Sequence, residues 1–290
     1  MAPTLEQKVY ICKVNKNYMN DNTLFALLIT LFAGLATGIG SLIGFFAKKT
    51  NTKFLCFSLG LSAGVMVYIS FMEMLHGARL ALGMIYGGSR GDGISALLFF
   101  GGVVLAGIID RLIPEAENPH ELHNVEEMRG EDNQNHHHAA NKKLRHAGIF
   151  SAIVLAIHNF PEGIATFVTS YTDLGAGIAI AVAVAIHNIP EGIAVSVPIY
   201  HATGSRKKAF WYSFFSGFAE PVGAIVAWAL LMPFLSPALV SCIMAVVAGI
   251  MIYIAFDELL PATHYYGENH IALYGLFLGM AVMAASLILL

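Results

Sequence analysis

Long stretches of the chain run without polar punctuation. Crossing a hydrocarbon layer about 30 Å thick takes roughly 20 helical residues. Apolar runs of that length fall at 24–46, 55–77, 94–113, 147–170, 174–198, 209–232, 238–260 and 270–290. They predict an all-α integral membrane protein with eight transmembrane helices. Residues 1–22 are polar and lack a continuous apolar core, so they read as an N-terminal tail and not as a cleaved signal peptide. Between spans 1–3 (23–113) and spans 4–8 (147–290) of this single transmembrane domain lies one long connection, 114–146, rich in Glu, Asn and His. It holds His120, His123, His136, His137, His138 and His146, half of the twelve histidines. Too poor in apolar residues to build a core, it is expected to be disordered: a solvated linker, or a low-affinity cytoplasmic chelator.

The hydrophobic pattern also repeats itself. AIHNFPEGIA (156–165) and AIHNIPEGIA (185–194) agree at nine of ten positions in consecutive, hence antiparallel, spans. AGVMVYISFMEML (63–75) matches AGIMIYIAFDELL (248–260) at eight of thirteen positions, and FAGLATGIG (32–40) more weakly resembles FSGFAEPVG (215–223). These pair span 2 with span 7 and span 1 with span 6. An offset of five spans reverses direction, so spans 1–3 and 6–8 form an inverted repeat around the central helix pair 4 and 5. Secondary transporters are built this way, with the binding site near the midplane at the repeat interface.

Composition agrees: of 290 residues 57% are apolar and only 12% charged, with mean hydropathy +0.66. A soluble domain carries about 25% charged residues. The net charge of −3 offers no basic surface for nucleic acid, and Cys12, Cys56 and Cys242 are too few and too scattered for a disulfide framework or a thiolate metal site. With both termini outside, the inward loops hold eleven of the sixteen Lys and Arg residues, which favours that orientation; Lys8, Lys13 and Lys16 of the tail oppose it.

Against this apolar background seven carboxylates sit in or at the ends of spans: Glu73, Asp110, Glu162, Glu191, Glu220, Asp257 and Glu258. An ionised group at the bilayer centre costs about 2.5–3.5 kcal/mol on the mildest scale. No Lys or Arg lies near the centre of any span, so the counter-charge must come from outside the sequence, and a bound cation would supply it. On a helix, His158 and Asn159 lie on the face of Glu162, and His187 and Asn188 on that of Glu191. Brought together, His158, Glu162, His187 and Glu191 make an N/O site suited to a first-row divalent ion. Asn159, Glu162, Asn188 and Glu191 make a harder, oxygen-rich one, which Glu220 of span 6 could complete. Pro161 and Pro190 fall between the ligands and free the carbonyls of Ile157 and Ile186, so the helices are expected to break toward a polar cavity. Glu73 and Glu258 match in the inverted repeat; for them, as for Asp110 and Asp257, an access or exit path and a solvated helix end are equally open readings.

HNFPEG (158–163), HNIPEG (187–192), AEP (219–221) and FDELLP (256–261) resemble the ZIP family of divalent-metal transporters, over essentially the whole chain apart from the tail and the long connection. The resemblance implies import of Zn²⁺, and of Fe²⁺, Mn²⁺, Co²⁺ and Cd²⁺, across a bacterial inner membrane, as transported substrates of a multi-pass protein with no resident cofactor. It implies a binuclear centre between spans 4 and 5: His158, Glu162, His187 and Glu191 at one position; Asn159, Glu162, Asn188, Glu191 and Glu220 at the other. It further implies an elevator-like movement of spans 1, 4, 5 and 6 against 2, 3, 7 and 8. Asp257 and Glu258 resemble an exit-side pair whose first member is histidine in many relatives. The expected partners are metal ions and the lipid bilayer, without nucleic acid, and with room for a homodimer. Two other functional classes stand beside this one. A membrane metalloenzyme would need His-Glu-x-x-His or Glu-x-x-His where this chain has His-x-x-x-Glu interrupted by proline. A metal sensor would use the His-rich loop but not the inverted repeat.

Overall fold

A computed structural model of the chain describes residues 22–46, 52–111, 152–153, 155–157, 159–264 and 268–289. The tail 1–21, the His-rich 114–146 connection and the start of the fourth predicted span lie outside the described residues, as does His158. The described residues are almost all helical, with no strand among them. In chain order the helices are α1 (Thr23–Phe46), α2 (Thr52–Tyr86), α3 (Gly88–Arg111), α4 (159–172), α5 (Leu174–Thr203), α6 (Arg206–Phe234), α7 (Pro237–Leu259) and α8 (Asn269–Leu289). All but α4, whose span is only partly described, are long and apolar enough to cross a membrane. The molecule is inverted relative to a soluble protein: Leu97 is 74% exposed while Glu220 is fully buried. Lipid in place of water outside reverses which surface is cheap to expose.

Local sequence sets the helix ends. Asp173 accepts from Ala176 N (3.1 Å) to start α5, and Gly204 ends that helix in the left-handed region at φ 62°. Ser236 accepts from Leu239 N (3.2 Å) to start α7, whose first residue is Pro237. The 78–93 region, expected as a connection, is instead mostly helix. α2 spans 35 residues, about 52 Å at 1.5 Å per residue, and turns into α3 at the single residue Gly87, φ 89°. A two-pronged ion pair, Arg79 Nε to Asp92 Oδ1 at 2.7 Å and Nη2 to Oδ2 at 3.2 Å, ties the two arms of this hairpin. The prolines correct a second expectation, because α5 runs unbroken through Pro190 and 159–172 runs unbroken through Pro161. Proline removes only one N–H, and dense packing on neighbouring helices holds the rest of the ladder.

Glycines set the packing, and they show the inverted repeat in three dimensions. A Cβ on Gly64 of α2 would fall 2.0 Å from Leu276 O of α8; on the aligned Gly249 of α7 it would fall 2.0 Å from Phe99 O of α3. Gly192 of α5 meets Thr37 O of α1 at 2.1 Å, and its duplicate Gly163 of α4 meets Glu220 O of α6 at 2.1 Å. Gly40 meets Ile189 O at 1.9 Å where Gly223 meets Phe160 O at 2.2 Å. Thus α1 packs on α5 as α6 packs on α4, and α2 on α8 as α7 on α3. Two sets of four helices result: α1, α4, α5, α6 and α2, α3, α7, α8. They meet where α2 lies along α5. Even a helix irregularity is duplicated. α2 opens into a π-helical stretch at Ser70–Leu75 and α7 at Ala255–Leu259, and the repeat aligns Ser70 with Ala255. Extra-residue turns of this kind concentrate at functional positions.

Close backbone approach is therefore a stability requirement at Gly64 and not at Gly77, which has nothing within 4 Å of a Cβ. Gly64→Ala is expected to cost about 1–3 kcal/mol through forced helix separation, whereas Gly77→Ala should be neutral or slightly stabilising. Thermal unfolding of the two purified variants checks this, and equal midpoints would contradict the packing described.

Candidate metal centre

Asn159 and Glu162 of α4 and His187, Asn188 and Glu191 of α5 are brought into one buried region with α6, where the α1/α5 and α4/α6 glycine contacts draw the helices close. Asn159, Glu162, His187, Asn188, Glu191 and Glu220 are all at least 98% buried. His187 Nδ1 lies 3.1 Å from Ala183 O. With its proton on Nδ1 the ring donates to that carbonyl and turns Nε2 toward Glu162 Oε1, 2.9 Å away. A lone-pair nitrogen that close to a carboxylate oxygen is held only by a proton or a cation between them. Glu191 Oε1 accepts from Ser62 Oγ of α2 at 3.3 Å. This is a contact between the two sets of four helices.

Both asparagines present oxygen inward. Asn188 Nδ2 donates to Ala33 O of α1 (2.9 Å) and to Glu220 Oε1 of α6, and Asn159 Nδ2 donates to Ser216 O of α6 (3.1 Å). Since each nitrogen faces acceptors, the amide orientation is fixed by its neighbours. What remains is Asn159 Oδ1, Asn188 Oδ1 and Glu220 Oε2, all buried and without a hydrogen-bond partner among the described residues. Leaving such a group unsatisfied costs about 1–3 kcal/mol, more when charged. The charged neighbours of Glu220 include Glu162 and Glu191, and those of Glu191 include His187 and Glu162. The centre is thus a concentration of acceptors that an oxygen- and nitrogen-binding cation would complete. Among the described residues no three His, Cys, Asp or Glu side chains already converge in metal-binding geometry.

Residues 21–287 match the family described as ZIP Zinc transporter. The chain belongs to the ZIP family. It is 58% identical over 270 residues to the zinc transporter ZupT of Oceanobacillus iheyensis, covering 93% of this chain and 99% of the relative. The ZupT proteins of Lysinibacillus sphaericus and Clostridium perfringens are 55% and 51% identical over 94% and 93% of the chain, and over 100% and 97% of their own lengths.

The outlying acids of this ZIP chain divide between two places. Glu73 is half-buried in the π-helical stretch of α2, near His76 and Asp173. Its repeat counterpart Glu258 is 8% exposed in the π-helical stretch of α7, with Asp110, Asp257 and Glu191 as charged neighbours. Tyr253 donates from its hydroxyl to Asp110 Oδ2 at 3.3 Å. Sequence reasoning passed over several of these participants: Tyr253, Ser62, and the carbonyls of Ala33 and Ser216. The carbonyls carry no side-chain signal at all. Ser62 and Tyr253 gain meaning only once α2 is seen against α5 and α3 against α7.

Proposed function

We propose that the protein is a secondary carrier that brings Zn²⁺ and similar divalent ions, among them Fe²⁺, Mn²⁺, Co²⁺ and Cd²⁺, into the cytoplasm. The reading is carried by one observation: Glu162, Glu191, His187 and Glu220 are buried together, with carboxylates and a histidine as their charged neighbours. An incoming ion exchanges water for imidazole, amide and carboxylate, and neutralises the glutamates as it binds. His158, Glu162, His187 and Glu191 hold one ion. Asn159, Glu162, Asn188, Glu191 and Glu220 hold a second, with the two glutamates shared. The names and identity of the ZupT relatives support zinc as substrate.

Division into two four-helix sets supports movement of α1, α4, α5 and α6 as a body against α2, α3, α7 and α8, with both termini on the outer side of a bacterial inner membrane. Glu73 then stands at the outer approach. Asp110, Asp257 and Glu258 receive the ion on the inner side, and the electrostatic contact of Glu258 with Glu191 supports a hand-over between them. Divalent breadth follows from ligand chemistry, since affinity order alone does not single out zinc among its neighbours.

Uptake of radioactive Zn²⁺ and Fe²⁺ into proteoliposomes tests the proposal. Saturable flux in the wild type should be abolished by Glu162→Ala combined with Glu191→Ala; binding without flux in the wild type, under several gradients, would sink it. Metal-ligating histidines must be neutral, and the unperturbed imidazole value is about 6.5. At fixed free metal, uptake is therefore expected to decline as pH falls below that value. A steady rise toward pH 5 would contradict ligation through His187.

A further inference from the structure

The inverted repeat aligns Glu220 of α6 with Thr37 of α1, since FSGFAEPVG and FAGLATGIG superpose those two positions. Their backbones occupy equivalent sites. Glu220 O presses on Gly163 as Thr37 O presses on Gly192, both at 2.1 Å from where a Cβ would stand. Gly163 and Gly192 each follow a centre glutamate directly, Glu162 and Glu191. The Thr37 backbone therefore stands beside Gly192 as that of Glu220 stands beside Gly163.

The hydroxyl itself is unspent. Buried hydroxyls on membrane helices ordinarily satisfy themselves on the carbonyl four residues back, and several here do: Thr30 on Ala26 O (2.9 Å), Ser41 on Thr37 O (2.8 Å), Thr203 on Ile199 O (2.7 Å) and Ser241 on Pro237 O (2.8 Å). For Thr37 that carbonyl is Ala33 O, which already accepts from Asn188 Nδ2 at 2.9 Å. Thr37 is 1% exposed, and its Oγ1 has no hydrogen-bond partner among the described residues. It turns toward α6, where a Cβ on Gly217 would lie 2.6 Å from it. A side chain larger than hydrogen at 217 would displace it. The neighbouring Ser216 O anchors Asn159, whose Oδ1 is likewise unpartnered.

We infer that Thr37 is a specificity-determining residue of the centre, a neutral oxygen donor that takes the place of one water in the shell of the ion held by the Asn/Glu position. This rests on the carrier reading above and deepens it. Two-fold-related positions carry a carboxylate on one side and a hydroxyl on the other, so the centre is an acid short of its own symmetry. The hydroxyl adds oxygen donors without adding charge, which favours hard, highly coordinated ions such as Mn²⁺ over four-coordinate Zn²⁺.

Competitive uptake of Mn²⁺ and Zn²⁺ into proteoliposomes by wild type, Thr37→Val, Thr37→Ser and Thr37→Asp tests the assignment. Val keeps the shape and removes the oxygen. Its half-saturating Mn²⁺ concentration should rise about tenfold, the low end for losing a group that supports a metal site, with that for Zn²⁺ changed far less. Ser should restore the wild-type ratio, and Asp should move it toward Mn²⁺. A wild-type Mn²⁺/Zn²⁺ ratio in both Val and Asp variants would overturn the inference while leaving the carrier reading in place. Equal loss for both metals, unrescued by Ser, would assign Thr37 to packing and overturn it too. Wild type without saturable flux would instead remove the carrier reading, and the inference with it.

Discussion

Glu162, Glu191 and Glu220 are buried in the apolar interior of a membrane protein, on three different helices, and their charged neighbours include one another and His187. Like charges taken out of water repel strongly at low dielectric, and the penalty for each is several kcal/mol before repulsion is counted. Such a cluster persists only if something neutralises it. Protons can do so, and a divalent cation would do so while also meeting the unpartnered amide oxygens of Asn159 and Asn188. The cluster therefore calls for an external positive charge, which the carrier proposed above would draw from its cargo.

Everything around the cluster serves to hold acceptors close without supplying a cation. Glycines at 163 and 192 let α6 and α1 bring their backbones against α4 and α5 immediately beside Glu162 and Glu191. Asn188 is pinned by Ala33 O and Glu220, and Asn159 by Ser216 O, so that their oxygens stay directed inward at no cost in freedom when an ion arrives. A further polar chain, Ser41 Oγ to Ser213 Oγ at 2.7 Å and Ser213 Oγ to Gly192 O at 2.8 Å, ties α1, α6 and α5 together one residue beyond Glu191. These bonds lie within one four-helix set. Ser62 to Glu191 crosses to the other, so one of the buried glutamates also touches the boundary between the two sets.

Spans, the inverted repeat and the buried acids were legible in the sequence because each is a statement about composition or periodicity: apolar length, duplicated words, charge where lipid forbids it. Legibility ended where a feature depends on what another segment does. The α2–α3 hairpin fell between the apolar runs 55–77 and 94–113 and so was expected as a connection, whereas both helices continue through it and Arg79 pairs with Asp92 across the turn. Pro161 and Pro190 looked like breaks, since local chemistry predicts one, but neighbouring backbones hold the helices continuous. The π-helical stretches at Ser70 and Ala255 have no compositional mark, and it took the repeat together with the fold to see that they coincide. In the centre the buried polar residues were readable from HNxPEG and AEP. The orientation of each amide, set by carbonyls of α1 and α6, was not.

Thermal unfolding of the purified protein measures the central claim most directly, comparing wild type with a variant carrying Glu162→Gln, Glu191→Gln and Glu220→Gln, each with and without Zn²⁺. Glutamine keeps the shape and removes the charge. If the carboxylates are a strained cluster awaiting a cation, the metal-free variant unfolds at or above the midpoint of metal-free wild type, and Zn²⁺ raises the midpoint of the wild type alone. A metal-free variant that unfolds well below wild type, with an undiminished Zn²⁺ shift, would show that these charges are structural and that the ion binds elsewhere.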